Sequence, residues 1–192
     1  MKNRRNITAV IFLLLFQTIY ITANAQKTNS SEIYPLPKGW RITGSAPQNY
    51  DMGVDRNAGQ KGKDAITIKY TAKKNMKFGA LANYIKIDKY LGKRIRMTGY
   101  IRSEKVDGWA GFWLRVDDST SHDKRVLSFD NMYDKAIRGT TDWTKYTLVL
   151  DVPQNGTTIV YGALLSGKGQ IWFDDVKFDL VGNEVPVTRK RR

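Results

Sequence analysis

Aromatic and charged residues alternate along the segment "GWAGFWLRVDD", residues 108–118. Successive side chains of an extended strand point to opposite faces, so Trp109, Trp113 and Arg115 are predicted to share one face. Flat indole rings stack on the apolar faces of sugar rings, and charged planar groups hydrogen-bond to sugar hydroxyls. The intervening residues are all apolar: Ala110, Phe112, Leu114 and Val116. The spacing therefore predicts a strand with a core face and an outer, ligand-binding face.

The following segment, "RVLSFDNM" at residues 125–132, is predicted to extend that outer face. It would add Ser128 and Asp130 to the ligand-binding residues, with Asn131 at the strand end. A structural interpretation is also open, in which a loop covers both tryptophans. Arg115 would then pair with Asp117 or Asp130 as part of the scaffold.

Catalytic chemistry is poorly supported by the residue types. Glycosidases need two carboxylates at a fixed separation, and the spacing of the acids near residues 117–134 selects no pair. The chain has no cysteine, which excludes a thiol nucleophile and thiolate metal sites, and its single histidine, His122, lies in a polar loop. We predict no catalytic residues and no enzyme activity. The alternative that includes catalysis is a small polysaccharide lyase or hydrolase.

The acidic pair in "IWFDDVKF", residues 171–178, is split by the same alternation. Trp172, Asp174 and Val176 are predicted to lie on the core face of this strand, and Asp175 on its solvated face. A carboxylate near buried rings needs a partner. Asp174 is therefore expected to pair with Arg41 or to accept backbone N–H groups.

The remaining chain reads as strands separated by turns. Period-two alternation recurs at residues 65–70, 94–102 and 146–152, and Gly, Asn, Asp and Pro punctuate the segments between them. Trp143 is expected to anchor the start of the strand at 146–152. The pattern predicts an all-β fold, a two-sheet antiparallel β-sandwich of the jelly-roll type.

Four segments together resemble a known group of folds: "GWRITGS" (39–45), "GKRIRMTGYIRSE" (92–104), "GWAGFWLRVDD" with "VLSFDNM" (108–132) and the stretch 138–181. They are similar to galactose-binding-like jelly rolls related to carbohydrate-binding modules. The resemblance extends to the module preceding some exported C-terminal-processing serine proteases, and similar chains are often labelled transcriptional regulators. It implies a structural calcium ion as a possible cofactor, held by Asp174. No other cofactor is expected.

The ends of the chain carry separate signals. A basic start, an apolar run at residues 7–23 and the Ala-Asn-Ala at 23–25 predict a signal peptide over 1–25, with an uncleaved membrane anchor as the alternative. We expect a linker at 26–38, the jelly roll at 39–181 and a disordered basic tail at 182–192.

These signals favour an exported protein, periplasmic or extracellular. The net charge of +14 favours an acidic partner, such as a uronate-bearing glycan, an anionic cell-wall polymer or lipid headgroups, and the alternative is a solvated basic surface without a partner. Nucleic acid does not fit an exported chain. The alternative is a protein-interaction or accessory domain with an envelope partner. The oligomeric state is left open.

Overall fold

The computed structural model describes residues 32–73, 77–120 and 125–188. These residues form an all-β fold without α-helix, in which every strand pairing is antiparallel, as predicted. The strands are β1 (Ile33–Tyr34), β2 (Arg41–Gly44), β3 (Tyr50–Asp55), β4 (Ala65–Tyr70), β5 (Phe78–Ile85), β6 (Arg94–Asp118), β7 (Arg125–Asp130), β8 (Ile137–Asp151), β9 (Thr158–Ser166) and β10 (Gln170–Val181). Single 3₁₀ turns lie at Pro47–Asn49, Gln60–Gly62, Asp88–Tyr90 and Tyr133–Lys135. Within these ranges, no helix has the length and apolar character that crossing a bilayer requires.

Strand β6 belongs to both layers of the sandwich. It is 25 residues long, and its first part pairs with β10 and β8 whereas its second part pairs with β9 and β7. The back sheet has the order β1-β3-β4-β10-β6-β8, and the front sheet has the order β2-β5-β9-β6-β7. Between the two parts, Lys105 adopts a left-handed conformation with φ of 51°. Hydrogen bonding therefore continues through all ten described strands.

The hydrophobic core lies between the two sheets and takes one face of each strand. On β6, the apolar residues predicted from alternation are fully buried, including Phe112, Leu114 and Val116. Partners come from the other long strands: Ile68, Leu81, Met97, Leu148, Ile159, Leu165, Ile171 and Phe173. Burial of these side chains supplies the main stabilisation of the fold, at roughly 25 cal/mol per Å² of apolar surface removed from water. The two-sheet sandwich prediction is confirmed.

A β-bulge in β10 corrects the predicted faces of that strand. Asp174 pairs with Tyr100 and Lys177 pairs with Thr98, so two residues of β10 oppose the single residue Gly99 of β6. Asp175 lies in this bulge and has a left-handed backbone conformation, with φ of 55°. As a result, Ile171 and Phe173 face the core before the bulge, and Val176 and Phe178 pack against it after the bulge. The prediction that Trp172 and Asp174 share the core face with Val176 is wrong.

Both predicted chain boundaries also differ from the structure. Ile33 and Tyr34, placed in the linker by the sequence, pair with Asp55 and Val54 of β3. At the other end, residues 182–188 are ordered against the sandwich, contrary to the expected disorder. The Arg94 guanidinium donates to the carbonyl oxygens of Asn183 and Val185, at 2.9 and 2.7 Å. The remaining tail, 189–192, and the signal-peptide segment lie outside the described residues, as does His122.

Substitution of Asp175 tests the bulge. A β-branched residue tolerates a left-handed backbone poorly, so Asp175→Val is expected to lower the free energy of unfolding by about 1–2 kcal/mol. Both substitutions at 175 remove the exposed ion pair with Lys177, but Asp175→Gly should be more stable than Asp175→Val because glycine adopts this conformation without strain. The control is Asp179→Val, at an exposed position in the regular part of the same strand. Urea denaturation curves in which the valine at 175 costs no more than the valine at 179 would show that the bulge is absent.

Buried and half-buried tyrosines make the free energy of unfolding vary with pH in the alkaline range. Desolvation by burial raises the pKa of Tyr50, Tyr146 and Tyr161 above the ordinary 10.0. The folded chain thus holds these protons more tightly than the unfolded chain does. The stability they contribute is complete at neutral pH and is lost as the pH rises through the raised pKa.

We expect the free energy of unfolding to fall between about pH 9 and 11, and Tyr161→Phe to make that fall shallower. Tyr161 is suitable because its ring packs on Trp40 and Phe178, at centroid distances of 5.6 and 4.9 Å. Tyr133→Phe, at a ring that is 59% exposed, is the control and should leave the slope unchanged. Denaturation curves measured across this range check the prediction, and identical slopes for wild type and Tyr161→Phe would contradict it.

Candidate functional site

The outer face of the front sheet carries the tryptophans singled out in the sequence. Trp109, Trp113 and Arg115 of β6 point away from the core, as predicted, and lie opposite Ser166, Gly162 and Val160 of β9. Small and aliphatic residues line the adjoining strands: Ala80 and Ala82 of β5, with Leu164 of β9. We call Trp109, Trp113, Arg115, Phe129 and Tyr133 the tryptophan face.

Trp113 is the buried floor of this face. It is 8% exposed and packs with Ala80, Ala82 and other members of a small second hydrophobic cluster. Its indole fits because Gly162 carries no side chain: a Cβ there would lie 3.2 Å from Trp113 Nε1 and 1.8 Å from the Leu81 carbonyl oxygen. Nε1 itself is buried without a hydrogen-bond partner. Trp113 therefore packs beneath the surface and leaves little of its own ring accessible to a ligand.

Trp109 is more accessible and meets a ring that sequence reasoning missed. Trp109 is partly buried against the Trp113 cluster, and its ring lies 5.3 Å from that of Tyr133, at an interplanar angle of 89°. Tyr133 is 59% exposed and lies in the 3₁₀ turn that follows β7. That turn approaches the sheet at Gly111, where a Cβ would lie 3.1 Å from the Cβ of Met132. The surface thus offers rings in two perpendicular orientations.

Arg115 pairs with its own strand neighbour. Its Nε lies 2.9 Å from Asp117 Oδ1 and donates to Oδ2 at 3.0 Å, which is one of the structural pairings foreseen from the sequence. The guanidinium carbon is 6.0 Å from the Trp113 ring centroid. Phe129 of β7 lies directly opposite Arg115 and is 38% exposed. The sequence analysis predicted Ser128 as a ligand-binding residue of this strand but did not name Phe129.

The polar residues predicted on β7 do not lie on this face. Asp130 pairs with Leu114 and Ser128 pairs with Val116, so both take the side of core-facing residues. Asp130 is buried, accepts the backbone N–H of Met132 at 2.8 Å and accepts a hydrogen bond from Thr188. Ser128 donates to the Asp151 carbonyl oxygen at 2.8 Å. The predicted grouping of Ser128 and Asp130 with Arg115 is therefore wrong.

Asn131 remains at the margin of the tryptophan face. Its side-chain oxygen accepts the backbone N–H of Tyr133 at 3.2 Å, which helps shape the 3₁₀ turn. Its carbonyl oxygen lies 3.3 Å from the place of a Cβ on Gly111. Asn131 thus positions Tyr133 beside Trp109.

Asp174 has a local role at the bulge. Its Oδ1 accepts the backbone N–H of Asp175 at 2.6 Å, one of the two protein pairings foreseen for it. Arg41 lies elsewhere, with its guanidinium carbon 5.3 Å from the ring centroid of Tyr84. Calcium requires about six to eight oxygen ligands. Among the described residues no three acidic or histidine side chains lie together, and the calcium ion that the resemblance implies at Asp174 stays a prediction.

The architecture is a jelly roll of the kind found in carbohydrate-binding modules. The xylan-binding family 22 module of Paenibacillus barcinonensis Xyn10C matches 77% of this chain and 89% of its own, with a TM-score of 0.51 and 15% identity. The family 22 and GH10 modules of Clostridium thermocellum xylanase 10B, solved with xylohexaose, match 82% of this chain and 29% of theirs, with a TM-score of 0.54 and 16% identity. The active domain of bacteriophage CBA120 tailspike protein 4 matches 80% of this chain and 21% of its own, with a TM-score of 0.58 and 13% identity. At these identities the likeness establishes the fold.

A sequence relative is more similar but longer. An uncharacterized HTH-type transcriptional regulator of Bacillus subtilis, YbfP, is 41% identical over 163 residues, which cover 84% of this chain and 54% of the relative. This chain therefore spans about half the length of that protein. No protein-family model matches the sequence.

Truncation of Trp113 tests its role as a floor. We expect Trp113→Ala to lower the free energy of unfolding by about 3–5 kcal/mol, because it leaves a cavity beneath the face. Tyr133→Ala, at an exposed ring, should change it by about 0.5 kcal/mol or less. Chemical denaturation of both variants measures the difference. Equal, small losses would mean that Trp113 is not a packed element of the sheet.

Proposed function

We propose that this chain is a non-catalytic, exported carbohydrate-binding module that holds a glycan on the tryptophan face. The observation that carries the proposal is the pair of perpendicular rings, Trp109 and Tyr133, beside the buried Trp113 on the outer side of the front sheet. The fold supports it, since family 22 modules that bind xylan share this architecture. The signal-peptide pattern of residues 1–25 supports export.

Stacking supplies affinity in this proposal, and the ion pair supplies orientation. Sugar rings present apolar C–H faces that pack on Trp109, Tyr133 and the exposed ring of Phe129. Asp117 holds Arg115 in place, and the terminal N–H groups of the guanidinium remain as donors for sugar hydroxyl groups. Because the charge of Arg115 is already balanced by Asp117, this face suits an uncharged polysaccharide and does not depend on an acidic one.

The non-catalytic part of the proposal is supported by how the nearby acids are used. Asp117 is held by Arg115, and Asp130 is buried beneath Met132 and Thr188. Asp118 is also buried, and its Oδ1 accepts hydrogen bonds from the backbone and side chain of Thr120, at 3.0 and 2.6 Å. A glycosidase pair needs two carboxylates facing one cleft. These acids are instead occupied within the scaffold, which supports a binding role.

A protein-interaction function is the second candidate. Val126, Phe129 and Tyr133 are large apolar residues, exposed by 52%, 38% and 59%, along one margin of the front sheet. Exposed apolar patches of this kind also serve protein interfaces. An envelope protein would be the partner, and the link to exported proteases that the sequence resemblance implies belongs to this alternative.

Glycan titration separates the two functions. We expect a neutral oligosaccharide such as xylohexaose, tested within a panel of neutral glycans, to shift the tryptophan fluorescence. Tyr133→Ala and Phe129→Ala should each weaken the affinity by about fivefold, because each removes a stacking ring worth on the order of 1 kcal/mol. The matched control is Trp143→Ala on the opposite sheet, which should leave the affinity unchanged.

Failure of the whole panel to bind would refute the carbohydrate function. Binding that survives both substitutions would place the glycan elsewhere. Co-purification of an envelope protein with the wild type, lost in Tyr133→Ala, would favour the interaction function instead.

A further inference from the structure

Arg102 stands between two tryptophans on the outer face of the back sheet, opposite to the tryptophan face. Its guanidinium carbon lies 4.1 Å from the ring centroid of Trp172 on β10 and 5.8 Å from that of Trp143 on β8. Cations at these distances are attracted by the negative faces of the rings. We call Trp172, Arg102 and Trp143 the Arg102 stack.

Strand register builds the stack from three neighbouring strands. Trp172 pairs directly with Arg102 across β10 and β6. On the other side, Ile101 pairs with Thr144 and Ser103 pairs with Thr141, so one extra residue of β8 lies opposite Arg102. Such a bulge re-aims a side chain, here that of Trp143. Trp143 lies in the middle of β8 (Ile137–Asp151), so the prediction that it anchors the start of a strand is wrong. It belongs to neither hydrophobic cluster of the described residues.

Trp172 is rigidly held beneath Arg102. It is 6% exposed, and its Nε1 donates to Asp55 Oδ2 at 2.7 Å. The Asp55 carboxylate is itself 4% exposed. A fixed ring limits the motion of a guanidinium stacked on it, so binding through Arg102 would cost less side-chain entropy.

Arg102 differs from the other arginines of its strand in having no acidic partner in the part of the chain that the structure describes. Arg94 pairs with Asp151, Arg96 with Asp179 and Arg115 with Asp117. Among the described residues, Arg102 has neither an ion pair nor a hydrogen bond, and its interactions are those with the two rings.

Three carboxylates lie close to Arg102 by register, and among the described residues none of them forms an ion pair with it. Asp142 is exposed and shares the β8 bulge opposite Arg102 with Trp143. Glu104 lies 3.5 Å from the ammonium group of Lys105, and Asp174 accepts the backbone N–H of Asp175. Lys145, opposite Tyr100 on the same face, adds an exposed positive charge. The surface thus presents an oriented guanidinium with its N–H donors unused, which matches a planar carboxylate in a bidentate arrangement.

We propose that the Arg102 stack is a second glycan site, which binds the carboxylate of a uronic acid residue in an acidic polysaccharide. The guanidinium fork takes the two carboxylate oxygens, and the partly exposed ring of Trp143 packs on the sugar ring. A sugar acid fits better than a free anion because the ring and the charge are recognised side by side. This site is independent of the tryptophan face, which has its arginine balanced by an aspartate.

An oligomer of galacturonic acid tests the proposal by isothermal titration calorimetry. We expect it to bind the full-length wild type, and Arg102→Lys and Trp143→Ala each to weaken binding by about tenfold, the former while keeping the charge. Arg96→Lys is the matched control, on the same strand and face but paired with Asp179, and should bind like wild type. The methyl-esterified oligomer should bind wild type about tenfold more weakly, because it lacks the negative charge.

Thermal unfolding of each variant verifies that it is folded before titration. No binding of the acidic oligomer, equal binding by wild type and Arg102→Lys, or equal binding of the esterified oligomer would each overturn the proposal. Displacement by acetate at the same concentration would reduce the stack to a bare anion site and also overturn it. Tyr133→Ala separates the two sites: it should weaken xylohexaose binding and leave the acidic oligomer unaffected, whereas loss of acidic binding in this variant would refute a second site.

Discussion

One strand, β6, belongs to both sheets and pairs with four other strands: β7, β8, β9 and β10. Its first part organises the back sheet and its second part organises the front sheet. A strand that serves two packed layers must turn between them, and here Lys105 takes a left-handed conformation at that point. Because core-facing residues of β6 are buried in both halves, a shift of one residue in its register would expose the core. Both outer surfaces are therefore fixed by the same strand.

The two outer surfaces share a physical design but differ in charge. In each, a buried indole lies next to a more exposed group: Trp113 belongs to the buried cluster against which Trp109 packs on the front, and Trp172 lies beneath Arg102 on the back. The front arginine is balanced by Asp117, whereas Arg102 keeps its donors unused among the described residues. Aromatic rings beside an arginine that is already paired with an acid suit a neutral sugar. Aromatic rings beside an unpaired guanidinium suit an acidic sugar.

Alternation predicted the fold and the core because most strands are regular, and it failed where they are not. The buried set Phe112, Leu114 and Val116 followed directly from period two. The faces of β10 could not be derived, since the left-handed Asp175 inserts a bulge that the sequence does not mark. Ser128 and Asp130 were misplaced because the pairing of β7 with β6 depends on a loop and on another register shift. Tyr133 and the ordered segment 182–188 depend on tertiary contacts, which local pattern cannot supply.

The central claim is that neutral sugar binds on the front sheet, over Trp113 and beside Trp109. The chain has 5 tryptophans, so a ¹H–¹⁵N spectrum of the folded protein resolves individual indole N–H signals. Assignment follows from single Trp→Phe variants. Titration with xylohexaose should shift the signals of Trp109 and Trp113 and leave those of Trp143 and Trp172 in place. Shifts confined to Trp143 and Trp172, or no shifts at saturating sugar, would contradict the account.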